Sequence, residues 1–154
     1  MRLIASIVCS ALIASAAQPA AEPTALTTLN SLTLREKAAQ LVIVPFYGED
    51  LNSRSSAYAE YRRLVADVGV GGLILLNRVR HGSVEKARSH DAATFLNRMQ
   101  RLAKLPLIVG GDFERGASMR LIDTTEFPHA MAFGAANDLA LTRAWGAATA
   151  REAR

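Results

Sequence analysis

The chain has 154 residues, half of them hydrophobic, with 18 Lys and Arg against 14 Asp and Glu. That length bounds it at one domain, with ample apolar material for a core. The net charge of +4 is scattered among acids with no block of five like charges, so nothing supports a nucleic-acid-binding stripe.

Residues 1–17 carry Arg2, then an apolar run over 3–13, then Ala14-Ser15-Ala16-Ala17. A positive start, an apolar centre and an Ala-x-Ala end read as a secretory signal, which predicts export to the periplasm or the medium. The run is too short to span a bilayer, so no transmembrane anchor is expected. The only cysteine, Cys9, lies inside this segment, which leaves the mature chain without a disulfide. Residues 18–30 are rich in Pro, Ala and Thr without periodicity and read as a linker. Residues 31–154 are then the folded domain.

Thr33-Leu34-Arg35-Glu36 is a capping box and predicts a short helix to about Gln40. Residues 41–46 form a continuous apolar run, a first strand. Residues 52–56 are polar turn material. Tyr58, Tyr61, Leu64, Val65 and Val68 recur at helical spacing, and Gly69 is a natural helix stop. Residues 72–76 make a second apolar strand ending at Asn77, and 78–83 read as a polar loop. A longer helix to about Ala103 follows, with Ala92, Phe95, Leu96, Met99 and Leu102 on its inner face. Pro106 opens a third strand, the apolar run 107–111. The last segment, 138–154, is an Ala-rich helix capped by Asn137 or Asp138. Strands that are apolar throughout predict a parallel sheet with helices on both faces. Periodicity does not choose between an open doubly wound sheet and a barrel.

The third strand stops at Asp112-Phe113-Glu114-Arg115-Gly116. Charges at a strand end sit where α/β folds put their ligands. If both acids were strand residues, Asp112 and Glu114 would face one side at roughly 7 Å, which makes them a candidate carboxylate pair for acid/base work. The simpler role for Glu114 is to hold Arg115 or Arg120 in place. His81 and His90 have no paired group and read as solvated. No His, Cys or Asp cluster has metal-ligand spacing, so no metal is expected. Gly69-Val70-Gly71-Gly72 precedes a strand and is a turn rather than a phosphate loop. No Gly-x-Ser-x-Gly elbow is present.

The stretch 105–134, LPLIVGGDFERGASMRLIDTTEFPHAMAFG, resembles the start of the active site in family 3 glycoside hydrolases. It is most similar to the β-N-acetylhexosaminidase branch, with its Asp-Gln-Glu-Gly-Gly-Arg strand end, a following Arg, and Phe-Pro-x-Ala-Met-Ala-x-Gly. The matching residues are Asp112, Glu114, Gly116 and Arg120, then Phe127, Pro128, Ala130, Met131, Ala132 and Gly134. Phe113 stands for Gln and Arg115 for the first Gly. His129 falls at a variable position and receives no role.

The resemblance implies a (β/α)8 barrel. A barrel takes about 250 residues, so the chain is expected to be an N-terminal portion of about three to four βα units. An incomplete barrel has an open sheet edge that favours aggregation. The implied activity is retaining hydrolysis of terminal β-linked N-acetylglucosamine without a cofactor. The family's nucleophile and acid/base lie on later segments, so no catalytic residue is expected within this chain. Asp112 and Arg120, with Glu114, are the expected substrate-binding residues, and a β-N-acetylglucosaminide or β-glucoside is the partner. Two alternatives stand beside this reading. One is a β-glucosidase of the same family, although that branch carries Asp-x-x-His-Gly and the His is missing here. The other is a non-catalytic carbohydrate-binding or structural barrel.

Overall fold

The computed structural model describes residues 24–154, so the signal segment lies outside the described residues. The chain divides into two units, Met1–Ser31 and Leu32–Arg154. In the first, α1 spans Ala25–Ser31, where the composition predicts linker. Thr24 Oγ1 accepts from Thr27 N at 3.3 Å and closes its first turn. Seven residues give too short a window for helical periodicity to register, and none of them is buried.

The second unit begins with α2, Leu34–Ala39. The capping box forms as the sequence predicts: Thr33 Oγ1 accepts from Glu36 N at 3.2 Å, and Thr33 N donates to Glu36 Oε2 at 2.8 Å. Lys104, past the end of a later helix, donates to Glu36 Oε1 at 2.6 Å. That bond, followed by those from Thr33, holds the Glu36 carboxyl down at about 2 against an ordinary 4.5.

Three strands form a parallel sheet in the order β1-β2-β5, with β1 at Ile43–Phe46, β2 at Gly72–Leu75 and β5 at Ile108–Gly111. The register aligns Ile43 with Gly72 and Gly72 with Ile108. Helix α3, Ser56–Arg62, runs into a π-helical turn at Arg63–Val68. Gly69 ends it at φ 76°, a left-handed position that suits glycine. Helix α4, Ser89–Leu102, returns the chain to β5.

The core lies between one face of the sheet and α3 and α4. Phe46, Leu73, Val65, Phe95 and Met99 are its fully buried side chains. Phe95 stacks on Phe46 at 5.6 Å and meets Tyr61 edge-on at 5.1 Å. Burying side chains of this size contributes about 1.5–3 kcal/mol each.

The opposite face departs from the sequence expectation. Ile43, Pro45, Gly72, Ile74, Ile108 and Gly110 share it by register; the four on the outer strands are exposed, Ile74 is half-buried and Gly72 is buried. Among the described residues, helices therefore do not cover both faces. In a (β/α)8 barrel the helices lie on the outer side alone, and the inner faces of the strands pack against one another across the axis. An apolar inner face left open by three strands is what a partial barrel displays, and no closed barrel forms.

Residues 78–83 also differ from the predicted loop. Val79–Arg80 (β3) and Ser83–Val84 (β4) pair antiparallel. His81 and Gly82, at φ 50° and 79°, make the two-residue turn, whose central pair needs positive φ. Past β5, α5 spans Ala130–Ala136 and α6 spans Leu139–Glu152. Asn137 at φ 47° ends α5, and Asp138 caps α6, its Oδ1 accepting from Ala140 N at 2.8 Å. Phe133 stacks on Trp145 across this corner, with centroids 4.4 Å apart and planes within 7°.

Candidate active site

The parallel sheet has one end where all three strands finish, and the charged residues collect there. Gly111 ends β5, and Asp112 continues the parity of Ile108 and Gly110, the exposed inner face. Phe113 takes the other side and packs against the core. Its ring lies over Gly111, where a Cβ would sit 2.3 Å from Phe113 Cζ. The Phe-for-Gln departure is therefore absorbed by the core side of the sheet.

The chain then turns. Gly116 N donates to Phe113 O at 3.0 Å, and Gly116 adopts φ 84°, ψ 177°, a conformation that residues with a Cβ avoid. A short 3-10 turn, Ala117–Met119, delivers Arg120 back toward the strand end. Arg120 Nη2 donates to Asp112 Oδ2 at 2.6 Å, and Arg120 Nε donates to the Asp112 main-chain oxygen at 3.2 Å. The guanidinium thus closes a two-point fork on one residue. The Arg120 side chain is 12% exposed and that of Asp112 39%. Asp112 Oδ1 meets no donor among the described residues, and its side chain is partly open to solvent.

The sequence places three residues here, and the structure joins two of them. Asp112 and Arg120 are in contact. Glu114 is exposed and forms no ion pair with Arg115 or Arg120 among the described residues. The strand stops before Asp112, so the two acids are not alternate strand residues sharing a face, and Glu114 instead bridges to Gly116 within the turn. The expectation that Glu114 anchors an arginine is therefore not met. His81, His90 and His129 are all exposed, and no group of three metal-ligating side chains occurs among the described residues.

The loop that carries Arg120 is tied to its surroundings at several points. Ala87 and Leu121 form a parallel bridge, with Ala87 N donating to Arg120 O at 2.9 Å and Ile122 N to Ala87 O at 2.8 Å. Asp123 accepts from Ser89 Oγ at 2.7 Å and from Ser89 N at 3.0 Å. It thereby caps α4, and the two Ser89 donors, the hydroxyl first, lower its carboxyl pKa.

One residue of this region escapes a sequence reading. Asn77 ends the apolar run of β2 and is 8% exposed. Its Nδ2 donates to Arg120 O at 3.1 Å, while its Oδ1 is enclosed with no donor among the described residues. One neutral hydrogen bond contributes about 0.5–1.5 kcal/mol, whereas an enclosed, unmatched acceptor costs about 1–3 kcal/mol. The only signal in the sequence is a lone polar residue closing an apolar strand.

At the β1 and β2 ends of the same mouth, Arg78 lies 4.1 Å over the Tyr47 ring and pairs with Glu49 at 3.1 Å. A cleft of about 260 Å³ beside them is lined by Tyr47, Glu49, Arg78, Lys86 and Asp91 among others.

Comparison with curated proteins finds no match. The model of the glycosyl hydrolase family 3 N terminal domain matches residues 33–154. A strand-end acid clamped by an arginine, on a partial barrel that this match covers almost throughout, leads to one conclusion: the chain belongs to glycosyl hydrolase family 3, as an N-terminal domain of that glycosidase family.

Proposed function

We propose that this domain holds the sugar of a terminal β-linked N-acetylglucosaminide for retaining hydrolysis. The observation that carries the reading is the Arg120–Asp112 fork at the strand end, which leaves Asp112 Oδ1 without a donor among the described residues. A carboxylate accepts hydrogen bonds from neighbouring hydroxyls, and a paired arginine keeps it ionised and in place. Such contacts orient the ring and strengthen as the transition state forms. Arg120, nearly buried and committed to Asp112, serves the sugar through that carboxylate. Glu114, exposed beside the turn, is the outer contact of the set. Preference for N-acetylglucosamine over glucose rests on the Asp112-to-Gly134 pattern, in which Arg115 stands where the β-glucosidase branch has His.

The chemistry needs no cofactor. None of residues 33–154 corresponds to the family's nucleophile or acid/base. The purified chain is therefore expected to bind sugar without cleaving a chromogenic β-N-acetylglucosaminide, and clear hydrolysis would return Asp112 and Glu114 to the role of catalysts. Export follows from residues 1–17 as part of the same proposal, and an exported protein that retains Met1 would refute it.

The direct test is binding of N-acetylglucosamine and of glucose, measured by saturation-transfer NMR and calorimetry. N-acetylglucosamine should bind more tightly. Asp112→Ala should weaken it by about 10- to 100-fold, or about 1.4–2.7 kcal/mol. A folded Asp112→Ala protein with unchanged affinity would make Asp112 a loop acid and end this reading. Tighter binding of glucose would favour the β-glucosidase alternative.

A further inference from the structure

We propose that Asn77 is a positioning residue for the Asp112–Arg120 fork. The proposal deepens the sugar-holding reading and rests on it only where sugar affinity is the readout.

Arg120 is aimed from two ends. Its guanidinium grips Asp112, and its carbonyl is held from behind by Ala87 N at 2.9 Å and by Asn77 Nδ2 at 3.1 Å. Ala87 precedes α4, whereas Asn77 lies just past the end of β2, the central strand of the sheet. Asn77 is therefore the contact that references the Arg120 loop to the most buried strand. Its amide has one workable orientation, because turning it over would set Oδ1 against the Arg120 carbonyl.

That orientation leaves Oδ1 enclosed and unmatched. An apolar residue would continue the run of β2 and avoid this cost, so packing alone does not account for asparagine here. The amide N–H on Arg120 does account for it. With the carbonyl held, the 3-10 turn cannot roll, and the fork keeps the Asp112 carboxylate in place.

The test uses the full chain and the Arg120 Nε–H signal in the ligand-free protein, followed by NMR for hydrogen exchange. Asn77→Leu removes the donor and the enclosed acceptor together. Its melting temperature should match or exceed wild type, while exchange at Arg120 Nε–H quickens by tenfold or more and N-acetylglucosamine affinity falls at least fivefold. A residue that served folding alone would lower the melting temperature and leave Arg120 unchanged.

Asn77→Asp carries the test if Asn77→Leu does not fold. Only the protonated form of the introduced carboxyl can donate to Arg120 O. Relative to wild type at each pH, protection of Arg120 Nε–H should be lost near neutrality and recover in acid. Wild-type Arg120 protection in either folded variant at neutral pH would overturn the proposal. If wild type binds no sugar, the function proposed above fails, and the Arg120 signal still decides the role of Asn77.

Discussion

The Asp112–Arg120 contact should be energetically coupled as well as close. Its strength is open to measurement by Asp112→Ala, Arg120→Ala and the double substitution, each unfolded in urea and followed by circular dichroism. Exposed ion pairs give about 0.2–1 kcal/mol in such cycles, and hydrogen bonds to charged groups give about 1.5–3 kcal/mol. Here the guanidinium side chain is 12% exposed and the carboxylate 39%, so water screens one partner and hardly reaches the other. The expected coupling lies between the two ranges, at about 1–1.5 kcal/mol. The bond from Arg120 Nε to the Asp112 main chain is lost in both arms that lack Arg120, so it cancels. Raising salt from about 0.1 to 1 M shortens the Debye length from about 10 to about 3 Å. A contact at 2.6 Å lies within both lengths, so at least half the coupling should survive. A coupling below about 0.3 kcal/mol, or one abolished by salt, would show a loose surface pair and refute the claim that Arg120 fixes the carboxylate.

Gly116→Ala should destabilise the protein by about 2 kcal/mol or more, because φ is 84° and the new Cβ would come 2.7 Å from Phe127 Cδ2. Thermal unfolding measures this, and a loss under about 0.5 kcal/mol would show that the turn relaxes freely. The Glu36 carboxyl, held at about 2 against 4.5, contributes stability that is complete above 4.5 and is lost as pH falls toward 2. Glu36→Gln should therefore be less stable than wild type at neutral pH, and the gap should close in acid. A gap that stayed constant down to pH about 2 would refute the assignment to Lys104 and Thr33.

The elements that carry their own local chemistry were legible in the sequence. The capping box at Thr33 and Glu36, the stop at Gly69 and the cap at Asp138 each announce a boundary through a side chain or a glycine that only a helix end requires. The three strands were legible as apolar runs, yet which face would be covered was not. That depends on whether the far face meets helices or other strands, and a continuous apolar run serves either. The hairpin around His81 and Gly82 escaped because a two-residue turn usually advertises itself with Asn-Gly or Asp-Gly. Asp112 stood out as a charge at a strand end, and Arg120 through the family resemblance. Their contact depends on the 3-10 turn that brings residue 120 back over residue 112, and no short-range pattern encodes that reversal. Asn77 was invisible for a related reason: its partner is 43 residues away and is a main-chain carbonyl, which has no residue identity.

Trp145 is the only tryptophan in the chain, and its indole lies flat against Phe133 at the α5–α6 corner. Intrinsic fluorescence therefore watches that corner and is blind to the sheet. If the corner loosens before the strands part, emission will shift at a lower denaturant concentration than the dichroic signal of the whole backbone. Coincidence of the two curves is then a direct reading of whether the two helices melt together with the β1-β2-β5 sheet or ahead of it.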